Sequence, residues 1–308
     1  MHAVNHSRLI SSTHLHPRYW PTWLGVGIIR LVCLMPLPVR WYCGNLLGRL
    51  GYRLAKKRRH IVSRNVALCF PQLSETERQQ LVRDNFKSSG ISIFETGLAW
   101  FGDAATFMDI VDIDGLETLH AARSEGHGVL LLGMHLSSLD FCGAALAQHL
   151  PFDVMYRKNK NSLFEAIMAL GRERNFNSAI ERNDIRRVIS RLRQGGIVWY
   201  GPDQDYGRKH SVFADFFDVP SASITATARI IRITRSPAIV FTHYRDLTTG
   251  RYQIKLQRLA AAYPTGDDVV DAQTINHIVE SAVRQAPEQY WWLHRRFKTR
   301  PMGDPGLY

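Results

Sequence analysis

From about residue 110 the chain alternates short apolar runs with amphipathic stretches. The apolar runs are "GVLLLG" (128–133), "FDVMY" (152–156), "GIVWYG" (196–201), "PAIVFTHY" (237–244) and "YQIKLQ" (252–257). Each has strand length and is rich in β-branched and aromatic residues. Between them, 139–149, 162–174, 183–194, 222–234 and 271–286 show helical spacing. The alternation predicts an α/β sheet with helices packed on its faces. Upstream, 61–101 reads as helices. Ser74 followed three residues later by Glu77 is a capping-box pattern, and Leu81, Val82, Phe86, Ile91 and Phe94 then recur at mostly helical intervals. The N-terminal region has a different pattern again. The first eighteen residues are polar, but from Tyr19 to Val39 the only charge is Arg30.

That apolar stretch is bracketed by Trp20, Trp23 and Trp41, with Lys56, Lys57, Arg58 and Arg59 downstream. Aromatic flanks with a basic block on one side mark a membrane-embedded segment. Arg30 interrupts the run, and Pro36 and Pro38 break the helix near its end, short of the ~20 residues of an uninterrupted span. The expectation is one short span or a helix lying in the interface, with the basic block on the cytoplasmic side; an ordinary core helix is the alternative. The polar tail lacks the charged start, apolar core and cleavage site of a secretory signal. The expected organisation is a tail over 1–18, an anchoring helical segment over 19–56 and one globular domain over 57–308.

Chemistry is suggested where the apolar runs end. In open α/β sheets, ligands bind outside the carboxyl ends of the strands. His135 and Asp140 follow "GVLLLG". On one regular helix, five residues would separate them by roughly 140° and they could not meet. With His135 in the turn and Asp140 in the first turns of the helix, the carboxylate can fix one ring tautomer. The other nitrogen is then free to take a proton from a substrate hydroxyl. The alternative is a surface loop with an incidental His–Asp pair. Ser137 and Ser138 lack the GxSxG elbow of a serine nucleophile. Arg157 and Lys158 follow a second run, Asp203 and Asp205 a third, and Arg182 stands where a helix is about to start. Together they suggest one polar site for an anionic substrate.

Composition narrows the partners. Of 308 residues, 45% are hydrophobic and 21% charged, which excludes a disordered chain and a multi-span membrane protein. The formal net charge of +12 points to nucleic acid, anionic lipid or an acidic protein. Cys33, Cys43, Cys69 and Cys142 form no CxxC pair and no zinc-ligand spacing, so they read as structural thiols.

The stretches "HPRYWPTWLGVGIIRL", "RRHIVSRNVALCFP", "NFKSSGISIFETGLAWF", "WYGPDQDYG", "SVFADFF" and "APEQYWWLHRRFKTRP" carry a resemblance across nearly the whole chain, from about His16 to Tyr308. The sequence resembles the late, Kdo-dependent acyltransferases of lipid A biosynthesis, nearest to the lauroyl and palmitoleoyl transferases. His135 and Asp140 match the HxxxxD/E signature shared with glycerolipid acyltransferases, with Asp here where lauroyl members often carry Glu. Asp203 falls where broader acyltransferases have a Pro-Glu-Gly motif, and Arg182 where they have a phosphate-contacting arginine.

The resemblance implies an α/β fold with a mixed sheet flanked by helices, as in glycerolipid acyltransferases, behind an N-terminal membrane-associated helix. It implies an acyl donor on acyl carrier protein and Kdo2-lipid IVA as acceptor, at the cytoplasmic face of the inner membrane among its lipids, with no cofactor, metal or nucleic acid. His135 and Asp140 would be catalytic; Arg157, Arg182 and Asp203 would bind substrate. The alternatives are a glycerophospholipid acyltransferase with the same dyad and a non-catalytic basic protein binding membrane or nucleic acid, supported by "HRRFKTR" (294–300).

Overall fold

A computed structural model describes residues 10–308. Its centre is a seven-stranded sheet in the order β1 (Val111–Asp114), β9 (Arg251–Arg258), β8 (Ala238–Asp246), β2 (Val129–Gly133), β5 (Ile197–Tyr200), β3 (Asp153–Tyr156) and β4 (Ser178–Glu181). All neighbours pair in parallel except β8 and β9. The sheet is therefore mixed, as expected. Strand β2 is buried at every position because helices cover both faces, which is why it reads as an unbroken apolar run. Val129 and Leu131 face one layer with Trp199 and Phe241; Leu130 and Leu132 face the other with Val198 and Tyr200.

The first face carries α4 (Glu75–Phe101), α6 (Leu139–His149) and α7 (Ser162–Glu173), with α1 (Trp20–Cys33) and α2 (Leu37–Leu54) laid over α4. The second carries α8 (Ile185–Arg193), α9 (Ala226–Thr234) and part of α10 (Asp268–Gln285). The capping box forms as read: Ser74 and Glu77 bond reciprocally at the start of α4. One boundary differs: of the helix expected over 222–234, residues 226–234 form α9, while 222–224 belong to strand β7 (Val219–Ile224), paired antiparallel with β6 (Ser211–Phe216). Their turn uses Phe217 and Asp218 at positive φ, without the glycine that usually marks a two-residue hairpin.

The N-terminal segment is not set apart from the domain. Helices α2 and α4 cross at backbone contact: a Cβ on Gly90 would lie 2.1 Å from the Gly44 carbonyl oxygen. Of the expected tail over 1–18, residues 1–9 lie outside the described residues. The rest forms short 3-10 turns, and His14 and Tyr19 reach the Ser162 hydroxyl at the start of α7. Among the described residues, no helix is long and apolar enough to cross a membrane. The break at Leu34–Pro36 leaves α1 at 14 residues.

A buried charge network ties these layers together. Arg245 on β8 donates to Glu95 on α4 at 2.6 Å and to the Ser88 hydroxyl at 2.6 Å. Tyr252 donates to the same carboxylate at 2.6 Å, and Trp41 of α2 donates to Tyr252. Both charged side chains are almost wholly buried. Removing one partner leaves the other charge desolvated and unpaired. Arg245→Ala is therefore expected to cost about 3–5 kcal/mol in chemical denaturation. Glu95→Leu with Arg245→Met should recover much of that loss. If Arg245→Ala unfolds at the wild-type denaturant midpoint, the pair is not what fastens α4 to the sheet.

Candidate active site

Five strands run parallel, so β2, β5, β3 and β4 deliver their C-terminal ends to one edge. The register Leu132↔Tyr200 sets the ends of β2 and β5 side by side. His135 lies in the turn between β2 and α6, and Asp203 lies in the loop after β5. They meet across 68 positions of sequence. The imidazole Nδ1 bonds Asp203 Oδ1 at 2.7 Å, and the His135 backbone N–H donates to Asp203 Oδ2 at 2.8 Å. Both carboxylate oxygens are thus taken by one residue, and the Asp203 side chain is fully buried.

This differs from the sequence reading in two respects. The carboxylate holding the imidazole is Asp203, not Asp140. Asp203, expected among the substrate-binding residues, is fully buried with both carboxylate oxygens bonded to His135. Asp140 is the second residue of α6 and points toward the first helical layer. There it accepts from the Thr96 hydroxyl of α4 at 3.4 Å and lies 3.7 Å from Arg172 of α7. His135 faces the β5 loop instead because its main chain and ring are both tied there. Asp140 remains close enough for its charge to act on His135.

Burial opposes protonation of His135, but the Asp203 charge and hydrogen bond, with a smaller contribution from Asp140, outweigh it and raise its pKa above the ordinary histidine range. Burial likewise pushes Asp203 up, and His135 more than offsets this, so the Asp203 carboxyl ends below its usual value. The ring packs edge-on against Trp199, with centroids 5.8 Å apart. Only glycine fits at 201, where a Cβ would lie 2.9 Å from His135 Cε1. Nε2 makes no hydrogen bond among the described residues, and His135 lines a cavity of about 690 Å³. A histidine oriented at one nitrogen by a buried carboxylate and open at the other can take a proton from a hydroxyl in that cavity.

Arg157 and Arg182 line the same cavity, beside Arg186, His210 and Arg229. The sequence reading thus brings both arginines to His135. The neighbouring polar residues are structural. The Ser138 hydroxyl bonds Nδ1 of His243, and Ser137 bonds Ser88. Burial depresses the His243 pKa to about 3, so that ring is neutral. Asp205 accepts from the Gly207 and Thr299 backbones and from the Thr299 hydroxyl.

The C-terminal stretch braces the site. The Trp291 N–H donates to the His135 carbonyl at 2.9 Å and the Ser137 N–H to the Gln289 carbonyl at 2.7 Å. The Tyr290 hydroxyl donates to the Asp203 carbonyl at 3.1 Å, and His294 Nε2 accepts from the Asp205 N–H at 3.0 Å. Arg296, part of the run that supported a nucleic-acid reading, is buried and bonds Ala222, Ser223 and Asn276.

Known proteins match nearly the whole of this chain in sequence. The family model described as bacterial lipid A biosynthesis acyltransferase matches residues 10–299. The chain belongs to that family. Among its relatives, the lipid A biosynthesis palmitoleoyltransferase of Escherichia coli K12 is 38% identical over 299 residues, 97% of each chain. The lauroyltransferase of the same organism is also 38% identical, over 97% of this chain and 98% of the relative. The myristoyltransferase is 31% identical over 94% and 90%. This lipid A acyltransferase is an enzyme, as its sequence suggested, and acyl transfer in lipid A synthesis is its reaction class. What sequence reasoning missed in it is the pairing of His135 with Asp203. Asp203 was read as a substrate-binding residue, and nothing local in "GPDQDYG" shows that its carboxylate pairs with an imidazole 68 positions away.

Proposed function

We propose that the enzyme transfers a fatty acyl group from acyl carrier protein to a hydroxyl of a primary acyl chain on Kdo2-lipid IVA, with His135 as general base. The observation that supports this best is the free Nε2 of an imidazole fixed by Asp203 and facing a cavity with a basic rim. Nε2 takes the proton of the acceptor hydroxyl as its oxygen attacks the thioester carbonyl. The tetrahedral intermediate collapses with cleavage of the C–S bond, and the proton passes from His135 to the departing sulfur. Asp203 keeps Nδ1 protonated and supports the transient imidazolium. Backbone N–H groups in the first turn of α6 are candidate donors to the oxyanion. Arg157 and Arg182 face the phosphates or Kdo carboxylates of the acceptor, for which a planar guanidinium is suited.

Asp140 acts through charge, holding Arg172 and supporting the charged form of His135. Asp140→Asn is expected to lower turnover about 10-fold or more, short of the effect of removing the base. Asp140→Glu should retain most activity. Equal rates for wild type and Asp140→Asn at saturating substrates would reduce Asp140 to a helix-start residue.

The membrane contact we propose is monotopic. Trp20, Leu24, Ile28 and Leu31 on α1, with Tyr42, Leu46, Leu50 and Leu54 on α2, recur at helical spacing and are all at least half exposed. An apolar stripe on the outer rather than the core face suits a helix pair lying in the headgroup region. Lys56, Lys57 and Arg58 continue it as exposed cations for anionic lipid on the cytoplasmic side of the inner membrane. The test of the whole reading is purified enzyme with carrier-protein thioesters of ten to sixteen carbons and Kdo2-lipid IVA in mixed micelles. A penta-acylated product is expected. Acylation of a glycerophospholipid instead, with none of lipid IVA, would overturn the acceptor assignment.

A further inference from the structure

The cavity at His135 is lined by residues of α8 and α9, and none of the residues of the apolar stripe lines it. Helices α1 and α2 lie over the sheet face that contains Leu131, Trp199 and Phe241, whereas α8 and α9 lie on the face that contains Leu130, Val198 and Tyr200. Between the two outer surfaces stand the sheet and its helical layers, each packed at ~10 Å. That separation exceeds the ~8–10 Å over which an anionic bilayer acts through physiological salt.

The α8–α9 surface is strongly basic. Neither helix contains an acidic residue. Arg191 and Arg232 pair with Asp153 and Asp268. Arg186, Arg187, Arg193 and Arg229 are exposed and make no ion pair among the described residues. The apolar sides of the helices, Ile189 on α8 with Ile230 and Ile233 on α9, line the outer part of the cavity that ends at His135, with Arg186 and Arg229 beside them. A basic surface thus leads into an apolar groove that reaches Nε2.

We propose that the α8–α9 surface docks the acidic carrier protein, whose phosphopantetheine arm enters between these helices and presents the acyl thioester to His135. This rests on the donor assignment made above and adds the place of entry. Arg157 and Arg182, assigned above to the acceptor, line the same cavity, so donor and acceptor meet in one cavity at one imidazole. The charges on α8 and α9 act mainly on encounter, so donor affinity should fall with added salt.

The test uses the full chain in detergent, with Arg187→Glu and Arg193→Glu combined, since neither residue lines the cavity. Two donors carry the same acyl group, one on acyl carrier protein and one on free pantetheine. The KM for the carrier-borne donor is expected to rise about 10-fold or more, with kcat retained and a flattened salt dependence. Kinetics with acyl-pantetheine should stay within twofold of wild type. An unchanged KM for both donors overturns the docking face, as does an equal loss with both, which would place the effect in the groove. Weakened binding to anionic vesicles with unchanged donor kinetics would assign the face to lipid and also overturn it. A wild-type enzyme that accepts acyl-pantetheine but no carrier-borne thioester would sink the donor assignment itself, and this proposal with it.

Discussion

His135→Ala is expected to lower turnover by about 100-fold or more at saturating donor and acceptor, the usual scale for removing a general base. The fold should survive, because the side chain is part-exposed at the cavity and the bonds that place this turn run through backbone groups. The Trp291 N–H to the His135 carbonyl and the Ser137 N–H to the Gln289 carbonyl do not involve the imidazole. The informative comparison is therefore rate against stability. A near-wild-type rate would remove His135 from the chemistry whatever its position. A large loss of rate in a protein that still unfolds cooperatively would place the defect in proton transfer.

The second large effect is expected for Asp203→Asn. The amide can keep a hydrogen bond to the ring but loses the charge that stabilises imidazolium, and it can favour the wrong tautomer. A loss of about 10²–10⁴ in turnover is expected. The pH dependence supplies an independent signature. In the wild type, Asp203 raises the His135 pKa, and the base must be unprotonated to act. The acidic limb of kcat/KM should therefore lie above the ordinary histidine value of about 6.5, with activity rising as pH rises through it. In Asp203→Asn the burial of the ring is left unopposed by that charge, and the limb should move to lower pH. The stability linkage has the opposite sense for the two partners. The raised His135 pKa contributes stability below its unfolded pKa, and this is lost as pH rises through the folded value. The lowered Asp203 pKa contributes stability above its own unfolded pKa, and this is lost as pH falls. An acidic limb at the same pH in both enzymes would show that Asp203 does not tune the base.

Several sequence readings were local and held for local reasons. The bounds 139–149 of α6 follow from helical spacing after a strand, and the Ser74–Glu77 box fixes the start of α4. The five apolar runs became β2, β3, β5, β8 and β9; β2 and β5 are buried at every position and β9 alternates buried with exposed positions, and both patterns are legible locally. Strands β1 and β4 passed unseen because each buries only one position, Val111 and Ile180, and so leaves no apolar run. Hairpin β6–β7 was not assigned, and the helix after it was started too early at 222, because Phe217 and Asp218 lack the glycine that marks a two-residue turn.

The sequence by itself determined the α/β class, the strand-end position of His135, the cavity arginines Arg157 and Arg182, and the family. All of these rest on side-chain periodicity or on long contiguous motifs, which a linear reading preserves. Only the tertiary structure decided which carboxylate holds His135, because strand order is set by long-range pairing that leaves no local trace. The β2–β5 register brings Asp203 to the ring, while the direction of α6 turns Asp140 toward Thr96 and Arg172. Packing likewise decided the fate of two patterns that look alike in sequence. The basic run around Arg296 turned inward because its guanidinium found three buried partners, and the apolar stripe on α1 and α2 turned outward because the glycine contact with α4 had already chosen the inner face of α2.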